Sequence, residues 1–215
     1  MKRKDLLRPM GKLLIVGTSA AAFAPVSAQQ GSDAELATKL SNPVASLVSV
    51  PFQMNWDHEV GSDRSGHKFT LNVQPVIPAK LSDDWNLISR IIVPIVDQHN
   101  PSIGDGSQRG LGDITGEFFF VPSALNQHGR IFGFGPAVLV PTSTDFISAD
   151  KWALGPAVVI AQQESGWTYG ALIDHLWSVA GNGPQEISNT FVQPLVSHTT
   201  KDAWTFGLNA EATYD

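Results

Sequence analysis

Hydrophobic and polar residues alternate along most of this chain with a period of two, the period of a β-strand that has one buried face. In KFTLNVQPVIPAK, residues 68–80, every odd-numbered position from 69 to 79 is apolar and most even-numbered positions are polar. The next run, WNLISRIIVPIV (85–96), is more apolar and carries Arg90 at its centre. Because only residues 81–84 separate the two runs, we predict a β-hairpin.

The same alternation recurs along the chain and predicts nine strands, at residues 48–58, 68–80, 85–96, 111–122, 130–141, 151–163, 167–178, 187–199 and 203–214. Most are far longer than the roughly 5–6 residues usual in globular sheets, and they exceed the roughly 9–11 residues that a tilted strand needs to cross a bilayer. In GRIFGFGPAVLVP and KWALGPAVVIAQ one face is aliphatic and aromatic, and the other holds smaller residues. We therefore predict an all-β fold, a transmembrane antiparallel up-and-down β-barrel of about 10–12 strands when complete.

The connections between the predicted strands alternate in length. The long ones fall at residues 59–67, 97–110, 142–150 and 179–186, and a short turn separates each from the next. Outer-membrane barrels alternate long extracellular loops with short periplasmic turns, so this rhythm favours the same fold.

The N-terminus has the features of an export signal. Basic residues precede an apolar segment at 13–24, and small residues follow at 26–28. The alternative, a membrane anchor, is disfavoured because this segment is shorter than the roughly 20 residues that a spanning helix needs. We predict a signal peptide at residues 1–28, cleaved in the mature protein, a periplasmic segment at 29–47, and the barrel at 48–215.

A short amphipathic helix is predicted in the segment before the barrel. In ELATKLSNPVASL the spacing places Leu36, Leu40 and Leu47 on one helical face. Ser32 or Asp33 is the expected N-cap.

Composition narrows the range of functions. Of the 215 residues 42% are hydrophobic, enough for one sizeable domain. Loss of residues 1–28 removes five basic residues and Asp5, which leaves 9 basic against 19 acidic residues and a net charge of about −10. A charge of this sign makes nucleic acid an unfavourable partner. There is no cysteine for a disulfide, a thiolate metal site or a nucleophile.

Several sequence blocks resemble a known family. The blocks are NPVASLVSVPFQMNWD, GLGDITGEFFF, FGFGPAVLVPT, WALGPAVVI and GALIDHLWSVAG. Over about residues 35–215 the chain resembles the outer-membrane family described as the MetA-pathway of phenol degradation, often labelled transporter. The resemblance implies a barrel that passes small organic compounds, with aromatic or hydrophobic compounds among the candidates, and it brings no catalytic residues. Such barrels end on an aromatic residue and have an even strand number, whereas this chain stops at Asp215 after a ninth predicted strand. We therefore expect either a barrel truncated after Asp215 that lacks about one to three strands, or a strand number different from the nine predicted.

Polar residues on the inward faces mark the expected lumen or solute path. They are Asn72, Gln74, Arg90, Asp113, Thr115, Glu117, Asn209 and Glu211. An arginine on the lipid face costs roughly 2–4 kcal/mol near the bilayer midplane, so Arg90 is expected to point inward. If Val96 pairs with Leu111, Arg90 lies directly across from Glu117. Two interpretations of these residues remain: a narrow polar path through the barrel, or a plug of charges that neutralise one another.

Enzyme and metal chemistry are weakly indicated. Asp174 and His175 lie near Ser178, but adjacent strand residues point to opposite faces and cannot line one site. The histidines are not paired at ligand spacing; they are His58, His67, His99, His128, His175 and His198. We expect neither an enzyme nor a cofactor or metal site.

The sequence thus predicts an outer-membrane channel or transporter for the passive passage of small organic compounds. Its expected partners are outer-membrane lipid, the solute and the barrel-insertion machinery. A barrel enzyme acting on lipids and a non-conducting structural barrel are the alternatives.

Overall fold

The structure is a computed structural model that describes residues 14–15, 33–41, 47–61, 64–101, 106–123, 129–144, 147 and 149–214. Within these residues the chain forms one helix and twelve strands. They are α1 (Asp33–Leu40), β1 (Leu14–Ile15), β2 (Phe52–Val60), β3 (Gly66–Val73), β4 (Val76–Lys80), β5 (Trp85–His99), β6 (Ser107–Leu111), β7 (Ile114–Pro122), β8 (Arg130–Val140), β9 (Lys151–Glu164), β10 (Trp167–Gly181), β11 (Ser188–Thr199) and β12 (Thr205–Tyr214).

All twelve strands belong to one sheet whose neighbours are antiparallel. The order is β1-β12-β11-β10-β9-β8-β7-β5-β3-β2, and β4 and β6 also pair with β5. The sheet curls into a half-barrel, so that the Gln53 amide on β2 donates to Glu211 Oε1 on β12 at 2.9 Å. The predicted antiparallel up-and-down sheet is therefore confirmed.

Two predicted strands are interrupted. The run 68–80 breaks at Gln74–Pro75 into β3 and β4, because Pro75 has no N–H to offer the ladder. The run 111–122 is divided at Gly112–Asp113, which separates β6 from β7. This irregularity shifts the register by one residue, so Val96 pairs with Gly110 and not with the predicted Leu111.

Strand ends also differ from the prediction. The first long strand begins at Phe52 rather than residue 48, and β5 and β10 extend to His99 and Gly181. These extensions shorten the connections that were expected to be long. The alternation of long loops and short turns is therefore weaker than predicted. The connections 61–65 and 200–204 lie at opposite ends of the sheet and are equal in length.

The helix α1 covers the first part of the predicted segment, before Pro43, where the helix was expected to be disturbed, and its apolar side chains stay exposed. Asp33 is its first residue, and Leu36 and Leu40 are 50% and 39% exposed. Ser32 lies outside the described residues, as does the predicted signal peptide except for Leu14–Ile15, which pairs with β12. Among the described residues no helix has the length and hydropathy of a membrane span.

The two faces of the sheet differ as the alternation predicted. Ile131, Ala137 and Val159 point inward and are buried, whereas Phe134 and Trp152 point outward and are 44% exposed. The inward apolar side chains form one cluster: Val76, Ile88, Phe119, Val121, Ile131, Ala137, Ala153, Ala157, Val159, Leu172 and Leu176. Its largest members lie toward the end of the sheet that carries the turns 81–84 and 165–166, called here the short-turn end.

A close strand contact at Gly155 gives a test of this packing. A Cβ at Gly155 would overlap the main-chain carbonyl of His175 on β10. We expect Gly155→Ala to lower the free energy of unfolding by about 1–3 kcal/mol, measured by urea titration of the folded protein. Gly207→Ala is the control, since its nearest neighbour is Ser197 Cβ at 3.3 Å. Equal stability of the two variants would contradict the observed packing of β9 on β10.

Candidate functional site

A buried ion pair lies at the centre of the inward face. Arg90 on β5 and Glu117 on β7 are direct ladder partners. Arg90 Nη1 donates to Glu117 Oε2 at 3.0 Å, and both side chains are at most 6% exposed. The predicted pairing of Arg90 with Glu117 is confirmed, although the register around Val96 is not the one that led to it.

A second carboxyl group joins this pair. Asp174 on β10 is buried beside Glu117 and lies within electrostatic range of Arg90. Arg90, Glu117 and Asp174 therefore form a buried triad of one cation and two acids.

Amide side chains extend the triad across the interior. Arg90 Nη2 donates to Gln74 Oε1 at 2.8 Å, and the Gln74 amide donates to Gln53 Oε1 at 2.6 Å. The Gln53 and Gln193 amides both donate to Glu211 Oε1, at 2.9 and 2.8 Å. We call this continuous set the interior polar network; its members are Gln53, Gln74, Arg90, Glu117, Asp174, Gln193 and Glu211.

Half of the predicted lumen residues belong to this network: Gln74, Arg90, Glu117 and Glu211. Asn72, Thr115 and Asn209 are half-buried on the same strands without joining it. Asp113 has a different role, because its carboxylate accepts from the Ser143 and Ala149 main-chain N–H groups, each at 3.2 Å, and so holds the β8–β9 connection.

The sequence reasoning missed three network members: Gln53, Asp174 and Gln193. The parity rule that selected Arg90 places Gln53 and Gln193 inward as well, because each alternates with outward apolar neighbours on its strand. Asp174 was considered only as part of a catalytic pair, so its inward direction was not used.

Asp174 and the adjacent His175 do not share a site. His175 points away from Asp174; its Nδ1 lies 2.7 Å from Thr190 Oγ1 and its ring 4.1 Å from the Trp177 ring. His58, His67 and His99 stand side by side on β2, β3 and β5, an alignment that the sequence did not reveal. In the part of the chain that the structure describes, no group of three or more His, Cys, Asp or Glu converges as metal ligands.

A polar cluster also occupies the opposite end of the sheet. Lys151 Nζ donates to Glu186 Oε1 at 2.9 Å, and the Ser178 hydroxyl donates to the other oxygen of Glu186. The Ser178 hydrogen bond and then the Lys151 ammonium stabilise the ionised form, so they hold the pKa of Glu186 below its ordinary value.

Comparison with known proteins gives one partial match. The Fe/S biogenesis protein NfuA of Photobacterium profundum is 29% identical over 94 residues, which are 43% of this chain and 48% of that protein. The match thus spans about half the length of that relative. No family model matches the sequence, and no solved structure matches it.

These comparisons correct the family prediction. The expected membership in the MetA-pathway family of phenol degradation is wrong, because no family model matches and the curated similarity is to a protein of another kind. The blocks that suggested it share the alternation of apolar and polar positions, which two-faced strands show in any family. The 215 residues contain no cysteine, the usual ligand of Fe–S clusters.

Removal of Arg90 should be far more harmful than removal of an exposed charge. Arg90→Met leaves Glu117 and Asp174 without their cation, and we expect a loss of about 3–5 kcal/mol in the free energy of unfolding. Lys80→Gln is the control: Lys80 and its partner Asp83 are 66% and 96% exposed, so the expected loss is about 0–1 kcal/mol. If both variants unfold at the same urea concentration, the triad has no structural importance.

The pKa of Glu186 offers a separate test outside the strands. Ser178→Ala should raise this pKa toward its ordinary value, because the variant removes the largest contribution to the ionised form. Since the folded pKa is the lower one, the stabilisation is complete above the ordinary pKa and disappears as the pH falls through the lowered value. NMR titration of the Glu186 carboxyl measures the change. Ser188→Ala is the control at the same end of the sheet, and an identical effect there would contradict the Ser178 contact.

Proposed function

We propose that the protein is an outer-membrane β-barrel that passes small organic solutes along its polar interior and has no catalytic role of its own. The observation that carries this proposal is the inverted distribution of side chains. Charged and amide groups meet inside the curled sheet, whereas large apolar side chains cover its outside. Hydrocarbon, rather than water, is the solvent that suits such an outer face.

The outer face is apolar on strands that lie far apart in the sheet. Phe52, Ile160 and Phe206, on β2, β9 and β12, are 57%, 52% and 62% exposed. In water, apolar patches of more than a few hundred Å² are rare on monomeric proteins. In a bilayer the same side chains need no protein partner, which supports membrane insertion.

Five of the six tryptophans mark two levels on this face. Trp85, Trp167 and Trp204 lie at the short-turn end, and Trp152 and Trp177 lie toward the opposite ends of β9 and β10. All five are exposed. Aromatic girdles at the two membrane boundaries have this arrangement, so the strands between them are the proposed membrane-spanning part.

The interior polar network stands in the proposed solute path. A passing solute must displace or skirt its hydrogen bonds, which makes the network the expected constriction. One observation also favours a second candidate, a non-conducting structural barrel: six of the seven network members, all but Asp174, are hydrogen-bonded to another member in the structure.

Liposome swelling separates the two candidates. We expect liposomes that contain the protein to swell in an isotonic solution of a small uncharged organic solute, and to swell faster with Arg90→Ala/Glu117→Ala, because this variant removes two large side chains from the constriction. Asp97→Asn, an outward-facing change on β5, is the control and should give the swelling rate of the original protein. Protein that inserts and folds but produces no swelling, with or without the double substitution, would favour the structural barrel and overturn the channel.

A further inference from the structure

We infer that the outer face of β8, β9 and β10 at the short-turn end binds a zwitterionic phospholipid, through the phosphate and the primary ammonium group of its headgroup. This inference rests on the proposed membrane location and adds a specific lipid partner to it.

A cavity of about 580 Å³ lies at this place, lined by Arg130, Gln162, Gln163, Glu164 and Tyr169. Arg130 and Tyr169 are the ladder partners of Gln162 on its two sides. Three polar side chains from three adjacent strands therefore stand in one row on the outer face.

Apolar rows follow the polar row directly. The next outward positions are Phe132, Ile160 and Ala171, again ladder partners across β8, β9 and β10. One step further are Phe134, Val158 and Ile173, each at least 38% exposed. A headgroup at the polar row would place its acyl chains along these rows, parallel to the strands.

The charges at the cavity match both ends of a zwitterionic headgroup. Among the described residues neither Arg130 nor Glu164 forms an ion pair. A guanidinium binds phosphate through two parallel hydrogen bonds, and a carboxylate accepts from a primary ammonium. Glu164 would repel a purely anionic headgroup, so the site favours phosphoethanolamine over phosphoglycerol.

The depth of the cavity also fits a headgroup. Trp167 is the ladder partner of Glu164 and is 48% exposed. Tryptophan prefers the boundary between headgroups and hydrocarbon, so this ring marks the level at which phosphate groups lie. The Gln163 side chain points the other way, with its amide donating to the Thr38 carbonyl of α1 at 2.7 Å, so it is not part of the polar row.

Native mass spectrometry of the full chain in detergent tests the site, after delipidation and addition of equal amounts of phosphatidylethanolamine and phosphatidylglycerol. We expect the original protein to retain phosphatidylethanolamine preferentially, and Arg130→Gln to retain about tenfold less of it. Glu164→Gln should keep bound lipid but lose the preference between the two lipids. Lys80→Gln, which removes a cation at the same end outside the cavity, should behave as the original protein.

Equal lipid retention by Arg130→Gln and Lys80→Gln would overturn the inference. Free phosphoethanolamine at the same concentration should not displace the lipid, because it lacks acyl chains for the apolar rows; displacement would show a soluble-phosphate site instead. Insertion into liposomes tests the membrane location separately. A protein that inserts without lipid preference refutes the lipid site alone, whereas a protein that fails to insert refutes the proposed function and the lipid site with it.

Discussion

A buried arginine must be paired, and this constraint fixes the centre of the structure. An unpaired guanidinium away from water costs several kcal/mol. The strand register around Arg90 must therefore bring a carboxylate within reach of its side chain. The Arg90–Glu117 pair meets this requirement in the ladder between β5 and β7. On the His99 side of the pair, the irregularity at Gly112–Asp113 shifts the pairing by one residue. On the Trp85 side, the register stays that of the ion pair. A one-residue slip would turn Glu117 to the outside and leave Arg90 alone.

The same pair connects distant strands. Glu117 reaches Asp174 on β10, and Arg90 reaches Gln74 at the break between β3 and β4. From Gln74 the contacts continue through Gln53 to Glu211 on β12. The first and last long strands thus meet through side chains although, in the described part of the chain, they share no ladder. The curvature of the sheet is accordingly tied to polar contacts as well as to the packing of small inward residues.

Much of this arrangement was predictable from local sequence because its cause is local. Alternation with a period of two determines which side chains point inward, and it identified the faces of β8 and β9 and the Arg90–Glu117 pair. The breaks at Pro75 and Gly112 were harder to place, because each depends on what the neighbouring strand offers as a hydrogen-bond partner. The contact of Asp174 with Glu117 joins strands that are not neighbours in the sheet, so it depends on curvature, which no single strand encodes. The exposure of the apolar face of α1 was also hard to predict, because it depends on where the helix lies against the sheet. Ser41 contacts Thr168, and the Thr38 carbonyl accepts from Gln163, at the open end of the curled sheet.

The order of groups along the interior bears on which solutes the proposed channel would accept. From the short-turn end, a solute first meets α1 and then apolar side chains such as Ile88, Phe119 and Leu172, before it reaches Arg90 and Glu117. A small ion would lose hydration in the apolar zone without gaining a partner there, at a cost of several kcal/mol. An uncharged organic molecule with one or two polar groups loses little in that zone and can exchange hydrogen bonds with the amides of Gln74 and Gln53 beyond it. An apolar zone followed by a polar zone would therefore make the proposed channel favour weakly polar organic solutes over ions.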